Sequence, residues 1–325
     1  MRVPEYLAAF PLKTSLVVGD LMLDEYIFGS ASRISQEAPV IVVKQNRVSS
    51  VPGGAANVAM NLMALGAHTG VVGVIGDDPA ADNLESSLKL SGVSPIEIFR
   101  DPTRPTTRKT RVVANHSHQV LRIDIEEETP ISAAMIETLV NRVKEIAKER
   151  DVLILSDYQK GAIPGPVIER IILIGKELNV PVVANAKPGS AHFYRGANVV
   201  SLNRFEASSA MGYLSPITDD MALETAKKLR EKLQIESLVV TLGASGMVVA
   251  NDHETQSVPA IRVEVYDEAG AGDTVIATLA LCATCGPIGI EALRLASHTA
   301  ACVVRKVGVA VPSAEDLQQI AQVFR

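Results

Sequence analysis

The stretch Asp151–Asn185, DVLILSDYQKGAIPGPVIERIILIGKELNVPVVAN, decides the fold. Its opening, DVLILSD, is a short apolar run that stops at Ser-Asp, as a buried parallel strand does when it reaches the carboxyl edge of its sheet. PGPVIERIILIGKELN then reads as a helix, and VPVVAN as a second buried strand. A strand, a helix and a strand in succession imply a right-handed crossover and a parallel sheet covered by helices.

The same grammar extends in both directions. Upstream, TSLVVGD (Thr14–Asp20) and TGVVGVIG read as strands, DDPAADNLESSLKLSG as a helix, SPIEIFR as a strand and SAAMIETLVNRVKEIAKER as a helix. GGAANVAMNLMALG is a Gly-started helix ended by Gly66. Downstream, ANVVSLN is followed by the helices RFEASSAMG and ITDDMALETAKKLREKL and the strands SLVVTLG and GMVVAND. The expected fold class is therefore α/β, three layers with a mostly parallel central sheet.

Four pieces break the pattern. DEYIFGSASRIS, APVIVVKQNRV, TRKTRVVA and HQVLRIDIE alternate in polarity and suggest a small sheet with one wet face, and NHSHQ, with His116 and His118, reads as a hairpin tip. No repeat or linker interrupts the chain, so the expectation is one domain over 1–325 carrying a discontinuous β lid at about 24–48 and 106–125.

Composition limits the function. With 325 residues, 47% of them apolar, the chain can bury a large core. A net charge of −6 gives no electrostatic reason to expect nucleic acid as a partner. No apolar run approaches the roughly 18 residues of a membrane span, and MRVPEYLAAFPLKTS lacks the plan of a secretion signal. A cytoplasmic protein without membrane partners is expected. Cys282, Cys285 and Cys302 are too few for a disulfide framework, and the Cys-x-x-Cys has no second half for zinc, so packing residues are expected.

Residues with chemical potential gather at predicted strand ends, where ligands bind in such sheets: Asp20, Asp24, Asp157, Asn185, Asn203, and Thr241 with Gly243. The most telling segment is EVYDEAGAGDTVIATLALC, Glu264–Cys282. It sets Gly270, Ala271 and Gly272 before a helix with Asp273 in its first turn. Backbone donors and the positive end of the helix suit a phosphoryl group gathering charge, and Asp273 beside them could take the proton of an attacking hydroxyl. Taken alone, the tetrapeptide reads first as a turn with a helix-stabilising Asp.

Its neighbours add to the case. DEAGAGD (Asp267–Asp273), GGAAN (Gly53, Gly54, Asn57), NRFE (Asn203, Glu206) and TLGASG (Thr241, Gly243, Gly246) stand in the order of the motifs of the PfkB/ribokinase family of sugar kinases, which the sequence resembles over nearly its whole length. Longer pieces, GDLMLDEY, SRISQEAPVIVVK, PGGAANVAMNLMALGA, SDYQKGA and VYDEAGAGDTVI, are similar to the branch of that family acting on heptose 7-phosphate. The resemblance implies a ribokinase-like fold and ATP and Mg2+ as cofactors. Asp24, Gly53, Gly54 and Asn57 would face the sugar, and Asp273 would be the base, with Gly270–Gly272 as anion cradle. Asn203 and Glu206 would lie toward metal and phosphates, with Lys187, Thr241, Gly243 and Gly246 on the nucleotide side. For a phosphorylated sugar the candidate cations are Arg33, Lys109, Arg111 and Lys160, with Asp157 beside the last. A homodimer through the lid and a separate adenylyltransferase are the implied partners, since HxGH is absent and the chain stops at QQIAQVFR.

The sequence departs from the family at Asn185 and Pro188 of NAKP, and at Leu242, Ala269 and Ser297, all on the nucleotide side. These departures motivate an alternative reading, a sugar-binding sensor with weakened transfer, beside that of a kinase for another sugar phosphate or nucleoside. GVVGVIG (Gly70–Gly76) has the wrong glycine spacing for a dinucleotide fingerprint.

Overall fold

A computed structural model describes residues 1–114 and 118–324. The expected hairpin tip at His116 lies outside the described residues. The strands are β1 (Thr14–Gly19), β2 (Leu21–Ile34), β3 (Ile41–Gly54), β4 (His68–Ile75), β5 (Ile96–Arg100), β6 (Thr107–Ala114) and β7 (His118–Ile125), followed by β8 (Val152–Ser156), β9 (Val182–Asn185), β10 (Val199–Asn203), β11 (Ser237–Thr241), β12 (Met247–Ala250) and β13 (Thr255–Val258).

Nine strands form one sheet in the order β13-β12-β11-β10-β9-β8-β1-β4-β5. Pairing is parallel from β5 through β11 and antiparallel only at β11–β12 and β12–β13. Alternation along each strand feeds two cores. Val17 of β1 packs with the helices Ala55–Ala64, Pro79–Leu90, Ala271–Ala283 and Ile290–Val303, while Leu16 and Val18 pack with Ala133–Ala147, Gly165–Leu178 and Asp219–Leu233. Helices on both faces make the expected three layers. After β1 the chain moves outward through β4 and β5, and from β8 it moves outward the other way. The strand order therefore reverses between β1 and β8, and a crevice opens above their carboxyl ends.

The second sheet has the order β3-β2-β6-β7. β2 leaves directly from β1 and returns as β3 into the helix at Ala55, so this sheet is tied to the crevice at both ends. Gly54 makes that return possible. Its φ is +56°, and a Cβ there would lie 2.6 Å from the Asp20 carbonyl. Register sets Asp24 and Tyr26 of β2 beside Lys109 and Arg111 of β6 on one face. The helices Val3–Ala9, Ile290–Val303 and Ala314–Val323 and the edge strand β13 are additions that the structure makes to the sequence reading. Cys282 is buried in the helix Ala271–Ala283, Cys285 follows that helix, and all three cysteines are free.

Candidate active site

Asp273 stands in the first turn of the helix Ala271–Ala283 and is only 4% exposed. Asn57 Nδ2 donates to its Oδ2 at 2.7 Å, and the Tyr158 hydroxyl donates to its Oδ1 at 2.5 Å. Asn57 is itself held from behind. Asn61 Nδ2 donates to the Asn57 carbonyl and side-chain oxygen, at 2.9 and 3.3 Å, and Thr274 Oγ1 donates to Asn61 Oδ1 at 2.7 Å. The helices Ala55–Ala64 and Ala271–Ala283 are thus joined by a buried polar chain that ends on the carboxylate, and such fully satisfied chains fix geometry. Burial pushes the Asp273 carboxyl up to about 6, the donated bonds from Tyr158 and Asn57 oppose that rise, nearby Asp24 adds to it and Lys187 opposes it.

The turn before Asp273 is shaped by Asp267, whose Oδ1 accepts from the Ala269 amide at 2.9 Å and whose Oδ2 accepts from the Gly308 amide at 3.0 Å. Gly270 has φ +82°, and a Cβ there would lie 2.9 Å from Asn57 Nδ2. The Ala271 amide is spent inside the turn on the Glu268 carbonyl at 3.2 Å. Gly272 differs, because a Cβ at that position would meet nothing within 4 Å. The open side of the cradle is at Gly272, where first-turn amides and the positive helix end favour an anion.

A cleft of about 580 Å³ runs up to this turn. Asn203, Thr241, Gly243 and Gly246 line it, with Ala271 and Gly272 at one end. Leu242 and Ser297 are among its walls as well. Gly246, at φ +100° and with a Cβ position 2.0 Å from the Val258 carbonyl, lets the β11–β12 turn close against β13. Asn203 and Glu206 form a capping box: Glu206 Oε2 accepts from the Asn203 amide at 2.8 Å and Asn203 Oδ1 from the Glu206 amide at 2.9 Å. Lys187 pairs with the other Glu206 oxygen. Among the described residues no cluster of three or more metal-ligating side chains exists. The hard oxygens of Glu206 and Asn203 fit a magnesium ion that keeps its waters and takes its remaining ligands from phosphate.

The lid side carries the other charges. Asp24, 4% exposed, pairs with Arg111, whose guanidinium lies 5.4 Å from the Tyr26 ring centroid. Gly53 faces Asp24 Oδ2 so closely, with a Cβ position at 2.0 Å, that only glycine leaves room for that carboxylate. Lys109 pairs with Asp124 and Glu126, and Lys160 with Glu126 and Glu128, so Glu126 bridges the lid to the loop after β8. Arg33 is exposed at the far end of β2. Asp157 is turned inward: its Oδ2 accepts from Ser190 and, at 3.3 Å, from Tyr194, and its Oδ1 from the Gln159 amide at 2.8 Å.

Sequence reasoning singled out Asp20 only as a strand-end residue. Its buried carboxylate accepts from three loop amides, those of Tyr158 at 2.7 Å, Lys160 at 3.1 Å and Ala162 at 3.0 Å, and burial pushes it up to about 6. Tyr158, Asn61 and Thr274 were missed altogether. Tyr158 stands inside SDYQKG, between two residues that drew attention by their charge, whereas Asn61 and Thr274 lie one helical turn and one residue from Asn57 and Asp273.

A carboxyl raised in the folded state binds protons that the unfolded chain has released. Stability from Asp273 is therefore present at low pH and falls as pH rises between 3.8 and about 6. Asp273→Asn removes that dependence. The melting temperature of the variant minus that of the wild protein is expected to rise between about pH 4 and pH 7. A difference that stays constant with pH contradicts the raised carboxyl.

A buried carboxylate beside open backbone donors, set between a nucleotide-sized cleft and a small sheet, is the apparatus of a phosphotransferase acting on an alcohol. The pfkB family carbohydrate kinase profile matches residues 13–316, and the chain belongs to that family of sugar kinases. Among its relatives are bifunctional proteins HldE, from Pseudomonas fluorescens at 42% identity over 309 residues and from a Nitratiruptor species at 37% over 310. These matches take in 94% and 95% of this chain but 63% and 65% of the relatives, so the chain spans somewhat less than two thirds of their length. Phosphofructokinase-2 from Escherichia coli superposes with a TM-score of 0.79 at 17% identity, covering 96% of this chain and 99% of that one. Ribokinase from Arabidopsis thaliana, complexed with ribose and ATP, gives 0.73 at 20%, covering 95% and 99%. These two likenesses establish the ribokinase-like fold. Among the described residues no helix is long and apolar enough to cross a membrane.

Proposed function

We propose that the protein is an ATP-dependent kinase that phosphorylates the anomeric hydroxyl of D-glycero-β-D-manno-heptose 7-phosphate, giving the 1,7-bisphosphate for ADP-heptose and lipopolysaccharide core synthesis. The observation that carries this reading is Asp273, a buried carboxylate held by Tyr158 and Asn57 where the nucleotide cleft meets the lid side. ATP would occupy the cleft along Asn203, Thr241, Gly243 and Gly246, its terminal phosphate beside Gly272. The sugar would lie under Asp24, Gly53, Gly54 and Asn57.

In the reaction the anomeric O–H proton passes to a free lone pair of the Asp273 carboxylate as the oxygen forms its bond to the terminal phosphorus, and the bond from that phosphorus to the leaving ADP oxygen breaks. Charge gathering on the transferred group meets the Gly272 amide and the positive helix end. Glu206 and Asn203 would hold the hydration shell of magnesium, and Lys187 would turn from Glu206 to phosphate. Magnesium, when bound, neutralises charge on the nucleotide phosphates. Arg111, Lys109 and Lys160 would reach the phosphate already on the sugar by exchanging their carboxylate partners Asp24, Glu126 and Glu128 for it. The outer face of the lid exposes Val48, Leu121 and Ile123, an apolar surface through which two copies would pair. Adenylylation of the product would fall to a separate adenylyltransferase activity.

The test is ADP formation measured against a panel of sugar phosphates, free sugars and nucleosides. Heptose 7-phosphate is expected to give the highest kcat/KM by at least tenfold. A higher value for another acceptor overturns the substrate assignment, and sugar binding without turnover favours a sensor.

A further inference from the structure

The loop after β8 spends most of its polar groups on its own shape. Asp20 gathers three of its amides, Asp157 takes a fourth, and Gln159 sits in the left-handed region at φ +56°. Together these anchors fix the backbone that carries Tyr158, whose hydroxyl rests on Asp273 Oδ1 and whose ring lies 5.3 Å from the Lys187 ammonium.

We propose that Tyr158 is a positioning residue for phosphoryl transfer, its O–H holding one oxygen of the Asp273 carboxylate so that the remaining lone pairs face the acceptor hydroxyl. Asn57 holds the other oxygen, and a carboxylate with about four acceptor sites keeps two for the substrate. The inference rests on Asp273 being the base. The groups around Asp273 are Tyr158 and Lys187 from the loops after β8 and β9, neutral Asn57 from its helix, and Asp24, paired with Arg111, from the lid. Of these, Tyr158 and Asn57 donate directly to the carboxylate. Losing the Tyr158 donor disfavours the ionised form, so proton release from Asp273 moves to higher pH.

The experiment compares the wild protein with Tyr158→Phe by two readouts. The first is kcat/KM against pH with heptose 7-phosphate and magnesium-ATP. The second is a 13C carboxyl NMR titration of Asp273 in the ligand-free protein, assigned with Asp273→Asn. In the variant both the acid limb and the NMR midpoint are expected to rise by about one pH unit, with the plateau rate falling about tenfold. An unmoved midpoint overturns the inference even if the rate falls, because that is what a packing role alone produces. The titration needs no turnover and so tests Tyr158 even if the substrate assignment fails. Turnover that survives Asp273→Asn, by contrast, overturns the base itself.

Discussion

Asp273→Asn is expected to lower kcat by about 10³-fold or more, the scale of a lost general base in a site that also relies on its position beside an anion cradle. The amide has the size and one acceptor of the carboxylate, so the Tyr158 bond can persist. It cannot take a proton, and its NH2 group meets Asn57 Nδ2 where an oxygen had accepted. KM for ATP is expected to change less than threefold, because Asn203, Thr241, Gly243 and Gly246 lie along the cleft away from the carboxylate. ADP release in a coupled assay reads both quantities. A variant within tenfold of the wild rate removes Asp273 from the chemistry.

Asp20→Asn should be the most destabilising conservative change in the site. Asp20 is 1% exposed, and its Oδ2 accepts from two amides, those of Tyr158 and Lys160. The amide oxygen of Asn takes the Oδ2 place and its NH2 then faces the Ala162 amide that Oδ1 had accepted, and leaving that donor unsatisfied in the interior costs about 2 kcal/mol. For a chain of this length that lowers the melting temperature by about 3 °C. Because the same amides carry Tyr158 to Asp273, turnover is expected to fall with stability. Melting unchanged within 1 °C or so, with normal turnover, would show that the loop stands without this anchor.

The parallel sheet was legible because each strand ends at its carboxyl edge on a residue type that can bind or turn: Asp20, Asp157, Asn185, Asn203, Thr241. The small sheet was legible because its strands alternate in polarity, but the expected single wet face is not what forms: β7 is exposed along its whole length on both faces, since among the described residues nothing packs over this edge of the sheet. Asp273 was legible from Gly-Ala-Gly-Asp before an apolar helix. What the sequence could not convey was partnership. Nothing in the spacing of Asp157 and Lys160 indicates that the first turns inward to Ser190 and the second pairs with Glu126 and Glu128, since both outcomes use the same residue types. Tyr158 contacts a residue 115 positions away, a relation fixed by the order of β8 and β1 in the sheet rather than by local pattern. Asn203 and Glu206 form a capping box, the ordinary structural use of such a pair, and Lys187 takes the other Glu206 oxygen, a partnership that the spacing does not reveal.

The most direct measurement is a crystal structure of the protein with heptose 7-phosphate and a non-hydrolysable ATP analogue. The account predicts an Asp273 carboxylate oxygen within about 3 Å of the anomeric hydroxyl, with the terminal phosphate of the analogue on the Gly272 side of the same turn. A sugar bound with that hydroxyl pointed away from Asp273, or a terminal phosphate seated elsewhere than beside Gly272, contradicts it.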